Sequence, residues 1–300
     1  MRPTGGSFGH LRAMLVFSWA AFVVQLSDVL FYQQTDRLIL GVLAGAIAVG
    51  LYEASAKVNG FVTYLSGLSV SAVLPLASGM DARGEHASLR SLFVRGTKYG
   101  ALLIAPVAVV VVVFAAPLLA VWLGPEYSRQ SAVMQVLVFP HVLVCLGLMG
   151  DAIVISRGRM GPRVPWILAQ AVLNVALSMI LVPRIGVMGV AVGTAVAHIA
   201  DFPIHIRFLL KETGVSFRQW LHGVVAPVYP LLVIPILVGI GYIGLGLAGS
   251  LLGVGIGALL ALAAYWLAVY FMGLTTDERE DFGRVARSIG RRSRPQDQAE

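Results

Sequence analysis

Residues 219–276 contain no Asp, Glu, Lys or Arg. One helical pass through a bilayer core needs about 20 apolar residues, so this stretch is long enough to cross twice. The turn falls at Gly246 to Ser250, where glycine and serine punctuate the run. Residues 101–123 are also uncharged and contain the valine run Val109 to Val113. In hydrocarbon, only helices and closed barrels satisfy their own backbone polar groups. The runs here are continuous rather than alternating, which excludes barrel strands. Charged residues make up 12% of the 300-residue chain, against about 25% in a soluble domain. The expected fold class is all-α, a polytopic transmembrane helix bundle.

Eight spans are expected, at about 13–38, 51–76, 97–123, 131–155, 164–182, 187–209, 225–245 and 250–273. Gly124-Pro125, Gly158 to Pro162, Pro183 to Gly186 and Gly246 to Ser250 stand where helices should stop. The cations test this division. The N-terminus, loops 2, 4 and 6 and the C-terminal tail together hold 18 of the 22 Lys and Arg residues. The opposite side holds Arg37, Arg129 and Arg184, and Lys57 falls within a span. Cytoplasmic loops carry the excess of Lys and Arg, so both termini are expected to be cytoplasmic (N-in/C-in) and the span number even. The net charge of +7 thus follows topology rather than one docking face, and no nucleic-acid partner is expected. The single cysteine, Cys145, gives no disulfide framework.

Several segments have a familiar rhythm. They are Asp36-Arg37-Leu-Ile-Leu-Gly41, Val49-Gly50-Leu-Tyr52-Glu-Ala54-Ser-Ala-Lys57-Val58 and Val73-Leu74-Pro75-Leu-Ala-Ser78. Val121-Trp122-Leu-Gly124-Pro-Glu-Tyr127, Gly158-Arg159, Asn174 to Ser178 and Gly186 to Thr194 follow in order. This ordered set resembles the Wzx-like polysaccharide and O-antigen exporters of the MOP flippase superfamily, relatives of the lipid II flippases and of the MATE drug exporters. The resemblance covers roughly residues 15–272. Such flippases usually have 12 or 14 helices in two six-helix lobes. On that pattern residues 1–210 correspond to the second lobe, 211–273 to an additional C-terminal helix pair and 274–300 to a basic cytoplasmic tail, with the first lobe absent. The resemblance implies a bacterial plasma (inner) membrane protein of polysaccharide or lipopolysaccharide biosynthesis. Its implied substrate is an undecaprenyl-pyrophosphate-linked oligosaccharide, flipped between leaflets. Implied partners are this lipid-linked oligosaccharide, membrane lipids, and either a first-lobe chain or a second copy in a homodimer.

Polar residues within the spans are the candidate site. Ser18, Gln25, Asp28, Tyr32 and Asp36 fall within a sector of about 80° on the first helix at 100° per residue. Such a stripe faces protein or a water-filled cavity. It is either a lumen wall for a sugar headgroup or interhelical glue. Lys57 lies inside the second span, four residues after Glu53. It is either an anion-binding residue of the lumen or a snorkelling lysine paired with Glu53. His198 and Asp201 can meet on one helix face, either as a proton-coupling pair or with Asp201 making a structural contact near the cytoplasmic end. Gly189, Gly193 and Ala197 form a small-residue packing stripe, and Gly249, Gly253 and Gly257 form a second one, expected to be the seam between the last two helices. Pro75, Pro106, Pro117, Pro140, Pro203 and Pro235 are expected kink positions.

The sequence holds no GxSxG, HExxH or Walker loop and no acidic metal cluster. Neither an enzyme nor a cofactor or metal is expected. The rival readings are a MATE-like small-molecule exporter, which calls for a net acidic cavity, and a non-transporting membrane scaffold in a glycan assembly complex.

Overall fold

The computed structural model describes Ser18, Trp19, Phe22, residues 34–274 and Glu278. Nine helical elements are used here: α1 (Thr35–Leu43), α2 (Gly45–Ala82), α3 (His86–Leu123), α4 (Pro125–Val144), α5 (Leu148–Ser156), α6 (Gly161–Ile185), α7 (Val187–Thr213), α8 (Phe217–Gly244) and α9 (Leu251–Gly273). No strand occurs among the described residues. Six of these helices are long and apolar enough to cross a membrane, or seven counting the bent pair α4 and α5 as one span. The first expected span, 13–38, lies mostly outside the described residues.

Helix ends differ from the apolar boundaries in a consistent way. α2 has 38 residues and so is about 57 Å long, well beyond the hydrocarbon core. It runs on to Ala82, and α3 begins at His86, leaving only residues 83–85 between them. Charge ends an apolar span without ending a helix, because Asp, Arg and Lys are tolerated on the wet turns of a helix. The expected connection at 39–50 is likewise helical, broken only at Ala44 and at Gly45, whose φ is +82°. Gly124, Gly158, Gly186 and Gly246, four of the expected stops, all take positive φ, a conformation open to glycine for want of a Cβ.

α3 is the central helix. Its most apolar window is 56% buried, against 17% for α2. Phe93, Leu102, Ile104 and Leu119 of α3 are buried with Met134, Ile153, Leu209 and Tyr265. The pair α8 and α9 packs on α3 at close range. A Cβ on Gly239 would lie 2.7 Å from Val113, and one on Gly257 would lie 2.6 Å from Tyr242 and 2.9 Å from Phe114. Gly257 therefore carries the expected α8–α9 seam, whereas Gly249 has only a backbone oxygen 4.0 Å away and Gly253 abuts the preceding turn at Leu247. The other stripe is a packing feature too. Cβ atoms on Gly189 and Gly193 would sit 2.5 Å from the Val182 nitrogen and 2.6 Å from Ser178 Oγ, so α6 and α7 meet almost backbone to backbone.

Pro75, Pro106, Pro117 and Pro203 sit inside continuous α-helix, whereas Pro235 is the third residue of the α-helix that resumes at Val233 after a 3-10 turn at Tyr229–Leu232. α4 and α5 are bent by 60° at the break between them, shortly after Pro140. Breaking a span frees carbonyls that lipid cannot hydrate, so neighbouring side chains must take them. Here α8 supplies the donors: Trp220 Nε1 donates to Leu146 O at 3.1 Å, and the Tyr229 hydroxyl donates to Val142 O. Gly147 and Gly150 let Leu209 close on the break. Trp220→Phe keeps the ring but leaves the buried Leu146 carbonyl without this donor. It should lower stability by about 1–3 kcal/mol, read as an earlier thermal unfolding transition in detergent.

Candidate functional site

A polar cavity of about 600 Å³ opens between α1, α2, α4 and α7. Its floor is built from elements far apart in sequence. Asp36 points inward from the first turn of α1 and is 1% exposed. The Tyr52 hydroxyl of α2 donates to Asp36 Oδ2 at 2.6 Å, and Thr194 Oγ1 of α7 donates to the same oxygen at 3.4 Å. Asn174 Nδ2 of α6 in turn donates to Thr194 Oγ1 at 2.8 Å. A bridge of hydrogen bonds thus ties four helices through one carboxylate.

This bridge leaves acceptors over. Asp36 Oδ1, Asn174 Oδ1 and Ser178 Oγ are buried with no hydrogen-bond partner among the described residues. A buried carboxylate is costly unless a proton or a cation neutralises it. The oxygens of Asp36, Asn174 and Ser178 suit either, since protons and small hard cations both take oxygen partners.

The walls offer matched donors and acceptors. His141 Nε2 of α4 lies 3.0 Å from Asn59 Oδ1 and 3.3 Å from Thr63 Oγ1 of α2. With Asn59 Oδ1 as acceptor, the ring carries its proton on Nε2 and presents Nδ1 as an acceptor. Nδ1 is buried without a partner among the described residues. On the other wall His198 Nδ1 lies 3.0 Å from Gln170 Nε2, which donates to it and leaves the His198 Nε2–H as a donor. At the rim Arg37 forms an ion pair with Glu53, its Nη2 lying 3.4 Å from Glu53 Oε2.

The expected site residues are brought together only in part. Asp36 and His198 both line the cavity. Gln25, Asp28 and Tyr32 lie outside the described residues. Lys57 is exposed and is not among the lining residues. It sits about 140° around α2 from Tyr52. Glu53, expected opposite Lys57, is held by Arg37 of α1 instead. A planar guanidinium reaching across from a neighbouring helix gives two-pronged geometry that a lysine one turn along cannot. Asp201 receives Arg163, with Nη1 donating to Oδ1 at 2.7 Å and Nη2 donating to Oδ2. Asp201 thus contacts the start of α6 from the middle of α7, while His198 faces the cavity.

Sequence reading passed over Tyr52, Asn59, His141, Asn174 and Thr194 as individual site residues. A signal existed for some of them. Asn59, Thr63 and Ser66 follow one face of α2 at spacings of four and three, and Gln170, Asn174 and Ser178 follow one face of α6. His141 and Thr194 stand singly in apolar surroundings and carry no periodic signal.

Comparison with known proteins points the same way. A family described as "Polysaccharide biosynthesis protein" matches residues 1–132. A probable low-salt glycan biosynthesis flippase of Haloferax volcanii is 24% identical over 217 residues, covering 71% of this chain and 45% of the relative. An uncharacterized membrane protein of Methanocaldococcus jannaschii is 22% identical over 221 residues, covering 72% of this chain and 44% of the relative. One of Bacillus subtilis is 26% identical over 218 residues, covering 70% and 42%. The chain spans less than half the length of these relatives. With its apolar helices and this kinship, the chain is a membrane protein related to the polysaccharide-biosynthesis proteins and glycan flippases, as the Wzx-like resemblance implied.

Proposed function

We propose that this chain forms one lobe of a flippase for a lipid-linked oligosaccharide, in the plasma membrane of a bacterium and with both termini in the cytoplasm. The observation that carries the reading is the polar cavity between α1, α2, α4 and α7 in an otherwise apolar bundle. Hydroxyl-rich sugars need donors and acceptors in alternation, and Asn59, His141, Thr63 and His198 provide both. The lipid tail stays in the bilayer while the headgroup passes along this wall. α2 is the least buried spanning helix and bears exposed Ile47, Phe61, Tyr64 and Leu68. A second lobe, in the same polypeptide or another, closes the passage against that face. Residues 211–273 act as the added helix pair that braces α3 and the α4–α5 break.

Eight spans follow if residues 13–38 supply the first. The loops assigned to the cytoplasm agree with this, because Arg157 of loop 4 contacts both Asp81, before loop 2, and Glu212 of loop 6. Asp36 is the neutralisable charge of the passage. Lys57 belongs to the part facing the second lobe.

The test is translocation of a lipid-linked oligosaccharide in vesicles holding a transport-competent assembly. Asn59→Leu combined with His141→Leu removes the wall's hydrogen bonds and keeps its bulk. It should reduce transport at least about tenfold, equivalent to one or two lost hydrogen bonds, with normal membrane abundance. Transport at the parental rate would remove the cavity from the passage. In the same assay Lys57→Gln should lose most activity and Lys57→Arg part of it. Normal transport per molecule in Lys57→Gln would exclude Lys57 from headgroup binding.

A further inference from the structure

A second cavity lies far from the first and shares no residue with it. It has a volume of about 310 Å³ and sits where the α2–α3, α5–α6 and α7–α8 connections converge. On α2, Asp81 is 15 residues beyond Ser66 of the first cavity, about 22 Å along the helix. Its charged lining comprises Arg90, Arg157, Arg159 and Lys211 against Asp81 and Glu212.

Both carboxylates are already engaged. Arg157 Nε donates to Asp81 Oδ1 at 2.8 Å and its Nη1 to Glu212 O at 2.7 Å. Arg159 Nη1 lies 3.3 Å from Glu212 Oε2. Arg157 Nη2 also lies 3.4 Å from His86 Nδ1. Two cations of the lining, Arg90 and Lys211, have no anionic partner among the described residues. Arg90 lies against Gly214, a Cβ on which would be 3.4 Å from Arg90 Nε. A topology bias alone accounts for cations on this side. It does not account for three connections meeting around one open cleft in which the acids are neutralised and two cations remain.

We propose that this cavity binds a phosphate group, with Arg90 and Lys211 as its charge partners, Arg157 as the fixed scaffold and His86 in the lining beside it. An excess of two positive charges matches a phosphate dianion or two neighbouring phosphates, and guanidinium geometry suits phosphate oxygens. Basic pockets between helices at a membrane face take anionic lipid headgroups in this way. The same chemistry suits a soluble pyrophosphate. The proposal is independent of what passes through the first cavity.

The experiment uses the full chain purified in detergent, with two arms. Native mass spectrometry compares retention of phosphatidylglycerol with that of phosphatidylcholine, and thermal unfolding is followed with inorganic pyrophosphate. The variant is Arg90→Gln combined with Lys211→Gln, both exposed side chains. Arg218→Gln, on an exposed turn outside the cavity, is the control. Each removed cation near a membrane surface weakens anionic-lipid binding severalfold, so the double variant should bind phosphatidylglycerol roughly 30-fold less, with the control unchanged. If only the lipid arm responds, the site takes a headgroup. If pyrophosphate stabilises the parent and not the double variant, it takes a soluble phosphate as well. Equal retention and equal shifts in parent and double variant would overturn the proposal, as would no preference for phosphatidylglycerol together with no response to pyrophosphate.

Discussion

Arg163→Ala should destabilise this protein by about 3–5 kcal/mol, the range seen when one partner of a buried ion pair is removed. The Arg163 and Asp201 side chains are only 5% and 11% exposed, and the guanidinium holds both carboxylate oxygens. Without Arg163 the carboxylate is left in a site it cannot leave, because Gly189 and Gly193 lock α6 onto α7. Replacing both partners, as Arg163→Met with Asp201→Leu, should recover most of the loss, since a well-packed apolar pair removes the desolvation penalty along with the attraction. Thermal unfolding of the single and double variants measures both effects. The same series decides what Asp201 does. A structural role expects Asp201→Asn to lower stability and leave transport per folded molecule intact. A coupling role expects the reverse, and that result would withdraw the structural assignment.

Asp36→Asn is the variant expected to harm transport most. The asparagine is nearly isosteric and its oxygen can still accept from Tyr52 and Thr194, so the lobe should fold and reach the membrane. It removes the neutralisable charge from a carboxylate whose Oδ1 is buried without a partner among the described residues. A loss on the order of 100-fold in transport per molecule is expected, corresponding to about 3 kcal/mol for a lost interaction with a charged group. The check is initial-rate translocation normalised to folded protein, with Asp36→Glu alongside to separate charge from position. Parental rates in Asp36→Asn would show that the carboxylate serves only to join α1 to α2 and α7.

The helical class and the approximate places of the apolar spans were legible because hydrophobic run length is a one-dimensional property. It needs no partner, only enough consecutive apolar residues to match the bilayer. Four helix stops were legible for a similar local reason, glycine being the residue that takes positive φ without strain. The stripes at Gly189 and Gly257 could be read as packing seams because helical spacing puts small residues on one face before any neighbour is known. Partners are another matter. Glu53 has a lysine four residues along its own helix and nevertheless binds Arg37, 16 residues away, because α1 folds back against α2 at Ala44 and Gly45. His198 and Asp201 share a helix face, yet α6 presents Gln170 to one and Arg163 to the other. Pro140, one of six prolines expected to kink, stands shortly before a 60° break. That break survives because Trp220 and Tyr229, 74 and 87 residues distant, bond its freed carbonyls. Asp36 was visible as one member of a stripe, but its burial beneath Tyr52, Thr194 and Asn174 required four helices in contact. Sequence periodicity specifies which face of a helix is polar; only the assembled bundle decides which polar group answers it, because hydrogen bonds and ion pairs between helices depend on distances that no single helix contains.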